Sequence, residues 1–478
     1  MREEVLMPIF LGRNVAKSEK ANSYPRMKRR KRNFLFVFAF VFVGALGMGL
    51  YYSWSLASIG VAYKAKILCS GVFVAHRDPH SILNTDLAVD DLSILRHINT
   101  KVDYTSKYVT ADFLGILRRK AIYRPGLGCI LAYDTPDGLS RSEATATPTD
   151  SAVIPEKYDP RFKLALDWAF SEPEPTRLRR TRAVVIVHKG QIVAERYAPG
   201  MSKDTPLLGW SMTKGVMNAL VGIMVKEGQL SLNGHLPVPE WLKPDDPRRK
   251  ITLDQLLQMS SGLRFDEDYS NPLKDVTYML FGIPDMGAYA ARKSLEAEPG
   301  TKWSYSSGTT NIISRVIRQV VGNANYIDLP RRALFQRIGM NSAIIEQDAS
   351  GTFVGSSFMY ATARDWAKFG QLYLQDGVWA GQRILPEGWI KYSTTPGPQA
   401  PDKQYGAHFW LKIPKEYRSD DHAKLVPGDA FHAVGHEGQF ISIIPSRDLV
   451  IVRLGLTRFP SAWQHDRFVN LVLEAVKN

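Results

Sequence analysis

Residues 207–220 read LLGWSMTKGVMNAL, and the fold turns on what Ser211 and Lys214 are doing three positions apart in it. The apolar residues Val216, Leu220, Ile223 and Met224 recur at helical spacing, and Gly228 supplies a stop, so the stretch predicts a helix opening near Ser211. Residues i and i+3 share a helix face, which brings the Lys214 amine to the Ser211 hydroxyl. A serine hydroxyl is a poor nucleophile until a base removes its proton. The free N–H groups and dipole of a first helical turn also favour negative charge on a reacting oxygen. A polar opening to an amphipathic helix and a catalytic pair therefore both fit. Spacing cannot choose between them, because at average usage a chain of this length holds about two S-x-x-K by chance.

Working outward, RAVVIVHKGQIVAERYAPG (182–200) precedes the helix and has two apolar runs around Lys189-Gly190, the pattern of a hairpin. The middle third is helical and loop-rich. The last third returns to strands: YGAHFWLKI, then QFISIIP and DLVIVRLG, with a final helix over about 462–477. Strands at both ends enclosing helices predict one mixed α/β (α+β) domain on an antiparallel sheet, and not βαβ repeats.

Three stretches in order resemble the serine hydrolases related to class C β-lactamases and penicillin-binding proteins. SMTK (211–214) matches their S-x-x-K, EPGTKWSYSSGTTNII carries Tyr305 two residues before Ser307, and VGHEGQFISIIPSRDLVIV places His436-Glu437-Gly438 at a late strand. ITLDQLLQMSSGL is similar to a helix of that family ending in a Ser-Gly-Leu turn. The resemblance covers roughly residues 165–478 and is nearest to the 6-aminohexanoate-dimer (nylon-oligomer) hydrolase subgroup. It implies a β-lactamase/transpeptidase-like fold, with an antiparallel sheet flanked by helices and a mostly helical subdomain. It also implies a Ser211 acyl-enzyme, with Lys214 and Tyr305 sharing the base role, and no cofactor. The backbone N–H groups of Ser211 and Gln439 would hold the oxyanion, and His436, Gly438 and Ser307 would meet the substrate.

Two departures matter. The family's tyrosine motif is usually Tyr-x-Asn, and here position 307 is serine. A literal Tyr-x-Asn stands at Tyr269-Ser270-Asn271, in a loop with Pro272. Tyr305 is the expected catalytic tyrosine, since it follows a Pro-Gly-Thr turn and precedes a predicted helix. Tyr269 is either a surface residue or a substrate contact like the second tyrosine of the nylon-oligomer hydrolases. His408, His422, His432 and His436 crowd one region, but their irregular spacing matches no ligand set, so no metal is expected.

Composition bounds the rest. The chain has 478 residues, 45% hydrophobic and 23% charged, which suits a globular protein. Its net charge of +14 suggests nucleic acid, yet residues 1–33 hold ten Lys/Arg against three Asp/Glu, half the excess in one tail. That tail ends in MKRRKR, and no charge follows from Phe34 to Tyr63. About 20 apolar residues span a bilayer, so the expectation is a basic cytoplasmic tail (1–33) and a transmembrane anchor (34–54). By the positive-inside tendency, everything beyond is extracytoplasmic or periplasmic. A cleaved signal peptide is the rival, with SLA at 55–57 as a site. Cys69 and Cys129 are the two cysteines and form a disulfide candidate in an oxidising compartment, or remain buried thiols. Residues 64–133 read as a small N-terminal α/β unit, 134–160 as a linker, and 161–478 as the hydrolase domain.

The sequence thus predicts a membrane-anchored serine hydrolase cutting an amide or ester bond of a small-molecule or peptide-like substrate, with no nucleic-acid partner. A D-alanyl-D-alanine carboxypeptidase or β-lactamase is the alternative within the enzymes. A non-catalytic, membrane-anchored binding module is the alternative outside them.

Overall fold

The computed structural model describes residues 24–87, 95–133 and 159–477. Residues 134–158 of the expected linker and most of the basic tail fall outside them. The first element, α1 (Tyr24–Phe73), is a helix of 50 residues. After Pro25 it contains no proline, and its glycines are isolated, so nothing in the sequence stops it near residue 54. By length and composition, Asn33–Phe73 contains a candidate membrane span. The chain divides into two compact units, Met1–Ser55 and Leu56–Asn478. In the first, the apolar side chains stand outward, Phe40 being 82% exposed. In the second, Val61, Ala62, Ala65 and Leu68 of the same helix are fully buried.

This second stretch of α1 lies in one hydrophobic core with a four-stranded antiparallel meander: β1 (Asn99–Asp103), β2 (Tyr108–Phe113), β3 (Leu117–Arg124) and β4 (Gly128–Ala132). Three sets of contacts fix it. Cys69 and Cys129 form a disulfide across 60 residues, with Cα atoms 6.1 Å apart. The Lys64 amine donates to the Leu95 and Ile98 carbonyls at 2.8 and 2.6 Å, so a lysine on this apolar helix is satisfied by backbone. Lys66 forms a buried ion pair with Glu346, whose Oε1 also accepts from the Ser70 hydroxyl (2.8 Å) and the Cys129 N–H (2.6 Å). Gly128 is required where Glu346 passes, because a Cβ there would stand 2.5 Å from its Cγ.

The main sheet follows from patterning. After α2 (Lys163–Phe170) come β5 (Thr181–His188) and β6 (Gln191–Tyr197). They are joined by Lys189 and Gly190 at φ 51° and 75°, as a tight hairpin demands. The helices α3 (Thr213–Lys226), α4 (Ser307–Tyr326, broken at Gly322) and α5 (Ala363–Leu374) precede β7 (Phe431–Gly435), β8 (Gln439–Ile444), β9 (Leu449–Gly455) and α6 (His465–Lys477). The five strands run antiparallel in the order β7-β8-β9-β5-β6. Successive strand residues point to opposite faces. Val184, Ile186, Phe440, Leu449 and Ile451 pack with α2 and α6 residues such as Leu166 and Val472. Ala183, Val185, Ile441, Val450 and Val452 pack in the other core, with α3 and α5. Helices on both faces explain why these strands read as continuous apolar runs.

α3 is buried on every side from Thr213 to Met224 and not only along a stripe, so it is a central helix. Gly222 lets the Trp389 ring close on it, since a Cβ would fall 2.6 Å from that ring. Asn218, buried in its middle, donates to Ala407 O (2.9 Å) and accepts from Trp389 Nε1 (2.9 Å) and the Tyr373 hydroxyl (2.6 Å). A fully satisfied amide of this kind fixes the helix rotation, and with it the direction of Lys214.

Candidate active site

Ser211 sits in a single 3-10 turn, Trp210–Met212, which leads into α3. Trp210 has φ 48°, a left-handed conformation that a bulky side chain seldom adopts. Its ring is held on both sides: Nε1 donates to Glu437 Oε2 (3.1 Å), and the ring lies 5.4 Å edge-on from His436. The backbone is thereby bent sharply just before the nucleophile candidate, a form of strain that accompanies functional sites. β7 closes on the same bend, since a Cβ on Gly435 would stand 2.2 Å from Gly209 O.

The Lys214 amine is 2.9 Å from Ser211 Oγ, 3.0 Å from Ser307 Oγ and 3.1 Å from Ser356 O. It is 1% exposed, and burial pushes it down to about 8, against an opposing pull from Glu267. Tyr305 lies with its ring 4.9 Å from that amine and its hydroxyl toward Ser211 and Trp410. Burial raises the phenol well above its ordinary value, and Glu267 raises it further. Lysine is therefore the partner shifted toward neutral pH, and tyrosine the one that keeps its proton.

Ser307, in place of the usual asparagine, accepts from Lys214 and donates to Glu267 Oε1 at 2.5 Å, while its N–H donates to Glu267 Oε2 at 2.7 Å. The carboxylate thus caps the first turn of α4 and completes a line Ser211–Lys214–Ser307–Glu267. Burial raises the Glu267 carboxyl, opposed by Lys214 and by both Ser307 bonds. Sequence reading did not find Glu267. It lies in the loop that holds Tyr269, two residues away, and no motif marks it.

Tyr269 is not a surface residue. Its ring stacks on His436 with centroids 4.2 Å apart, and its hydroxyl is buried. Opposite, Trp303, Tyr305, Tyr405 and Trp410 form an aromatic wall with centroids 5.1 to 6.5 Å apart. His436 and Gly438 lie in the β7–β8 turn. The side chain of Gln439 turns away to the carbonyls of His436, Glu437 and Gly455, which leaves only its backbone for a site role. Gly438 has φ 78°, and a Cβ on it would strike the fully buried Arg453, which donates to Gly438 O at 2.7 Å.

The remaining histidines separate. His408 binds Lys214 O (2.9 Å) and Thr310 (3.2 Å), His432 joins Ser442 and His465 behind the sheet, and His422 is in a surface helix. Burial holds His408 and His432 down to about 3, as neutral rings. Among the described residues no three His, Cys, Asp or Glu side chains converge as metal ligands would.

A bent strand-to-helix junction carrying a serine, a buried low-shifted lysine and a tyrosine beside an antiparallel sheet can activate a hydroxyl for acyl transfer. Comparison with known families gives the same assignment: the family model described as Beta-lactamase matches residues 175–471. The chain belongs to the beta-lactamase family. Among individual relatives, the 6-aminohexanoate-dimer hydrolase of Paenarthrobacter ureafaciens is 24% identical over 302 residues, 57% of this chain and 72% of that protein. Among solved structures, a family VIII carboxylesterase superimposes with TM-score 0.50 at 19% identity, covering 67% of this chain and 98% of that one. EstCE1, a hydrolase with promiscuous acyltransferase activity, does so with TM-score 0.51 at 16% identity, covering 66% and 98%. This beta-lactamase-family chain is thus a serine hydrolase by family, of the amidase or esterase kind.

Proposed function

We propose that this beta-lactamase-family hydrolase cleaves an amide or ester through a Ser211 acyl-enzyme and that its substrates are like those of the 6-aminohexanoate-dimer hydrolases. The observation that carries the reading is the buried Lys214 amine, 2.9 Å from Ser211 Oγ and shifted to about 8. In its neutral form the amine takes the serine proton as Oγ attacks the carbonyl carbon. The oxyanion is received by the backbone N–H groups of Ser211 and Gln439, and such a donor contributes roughly 3–4 kcal/mol in comparable acyl transfers. The proton passes by way of Tyr305 to the leaving amine or alcohol. Water then attacks the acyl-enzyme with the same base and regenerates Ser211. Support for the finer substrate class comes from the named relative and from Tyr269, which is stacked on His436.

We also assign α1 as an anchor that leaves the hydrolase unit outside the cytoplasm. A disulfide in that unit fits an oxidising compartment, and the basic MKRRKR segment precedes the apolar run.

Treatment with a fluorophosphonate probe and, separately, with fluorescent penicillin tests the chemistry. The native chain is expected to be labelled by the first reagent and Ser211→Ala by neither. Labelling by penicillin would move the substrate to peptidoglycan-type amides, and labelling by neither would end the enzyme reading. The pH profile adds a second expectation. Because the base is the neutral amine, kcat/KM should rise as pH increases through about 8. Glu267 raises the Lys214 value, so Glu267→Gln should shift this acid limb to lower pH. An unmoved or upward-shifted limb would contradict that coupling.

A further inference from the structure

The β2–β3 hairpin presents exposed aliphatic side chains at its tip. Its three-residue tip is Leu114-Gly115-Ile116, with Leu114 and Ile116 72% and 73% exposed. Leu114 holds φ 55°, a left-handed position that glycine or asparagine would occupy at lower cost. An exposed, branched apolar residue kept in an unfavourable backbone position points to use of the side chain itself.

The end of the sheet that carries this tip is defined by α1. Arg119, next to the tip, donates to the Ser58 hydroxyl, whereas Phe73, at the far end of the helix, packs on Tyr104 and Tyr123 at 6.0 and 5.6 Å. From Ser58 to Phe73 the helix rises about 22 Å. The β1–β2 turn at 104–107 is therefore at one end of the sheet and the apolar tip at the other, the end where α1 enters this unit. In the sequence just before Ser58, Tyr51, Tyr52 and Trp54 are the kind of aromatic cluster that marks a membrane–water boundary.

Charge agrees with this placement. Residues 108–120 contain Arg118, Arg119 and Lys120 against one acid, Asp112, whose Oδ1 is engaged by the Gly115 N–H at 3.0 Å. Apolar residues at a tip with cations behind them match a bilayer surface, where the tip enters the acyl boundary and the cations meet anionic headgroups.

We infer that the 114–116 hairpin tip is a second membrane contact, which docks the hydrolase unit on an anionic lipid surface. The inference rests on the reading of α1 as an anchor. Since Cys69 and Cys129 are joined, a cysteine introduced at one site is the single free thiol of the chain. Full-length chain carrying Ile116→Cys or Thr105→Cys, labelled with the environment-sensitive fluorophore NBD, would be reconstituted in vesicles of phosphatidylcholine and phosphatidylglycerol. Emission at position 116 should rise severalfold, shift to the blue and be quenched by brominated lipid, with position 105 unchanged. The response at 116 should weaken in phosphatidylcholine alone and on adding Leu114→Asn.

A chain that floats with vesicles but responds equally at 116 and 105 overturns the inference and leaves the anchor standing. A chain that does not float removes both. A response at 116 that appears in detergent on raising protein concentration overturns it as well, by identifying the tip as a contact between copies of this chain.

Discussion

Lys214→Met should lower kcat/KM on a chromogenic ester by at least about 10⁴-fold, or about 5.5 kcal/mol of transition-state stabilisation. Ser211→Ala should do the same. Methionine matches the lysine stem in length, so the packing of α3 between the sheet and Trp389 is retained and unfolding should differ little. Members of one catalytic unit are strongly non-additive, because either loss stops the same proton transfer. The double variant is therefore expected to be no slower than the slower single one. If Lys214→Met kept activity within tenfold of the native chain, the base would have to be another group, and Tyr305 is the one in reach of Ser211.

The second large effect lies outside the active site. Glu346→Gln leaves the Lys66 ammonium buried without its counter-charge while keeping an acceptor for Ser70 and Cys129. Both ion-pair partners are almost wholly excluded from solvent, at 2% and 0% side-chain exposure. Removing one partner of such a pair typically costs about 3–5 kcal/mol, whereas removing both charges is often close to neutral. Glu346→Gln should thus lower the unfolding midpoint of the full chain in detergent, and Lys66→Met with Glu346→Gln should recover most of the loss. A single variant within about 1 kcal/mol of native, on the scale of an exposed pair, would show that the pair contributes no more than a surface contact.

What could be read in advance was local. Ser211 and Lys214 are three residues apart, the β5–β6 hairpin has Lys189-Gly190 at its turn, and the apolar runs of β8 and β9 lie within single strands. Periodicity and turn chemistry reach that far. Glu267 was not legible, because its partner Ser307 is 40 residues away and the two meet only once the loop closes over the site. Tyr269 was visible as a motif but not placeable, since stacking on His436 depends on the same closure. The N-terminal unit was only partly legible, for another reason. With no proline after Pro25 and only isolated glycines, α1 simply continues to Phe73, past the expected end at residue 54. Its lysines are made tolerable by carbonyls at 95 and 98 and by Glu346, groups that no window of sequence contains.

The ion pair between residues 66 and 346 also sets an order of events in time. The chain emerges from its N-terminus, so Lys66 and the apolar face of the four-stranded sheet are made while Glu346 is still 280 residues from synthesis. During that interval the N-terminal unit has no hydrolase core to join, and contacts this distant in sequence are slow to form. Completion of this hydrolase is therefore expected to wait on its last third: a truncated or stalled chain would present an unpartnered sheet, the form most exposed to proteolysis and aggregation.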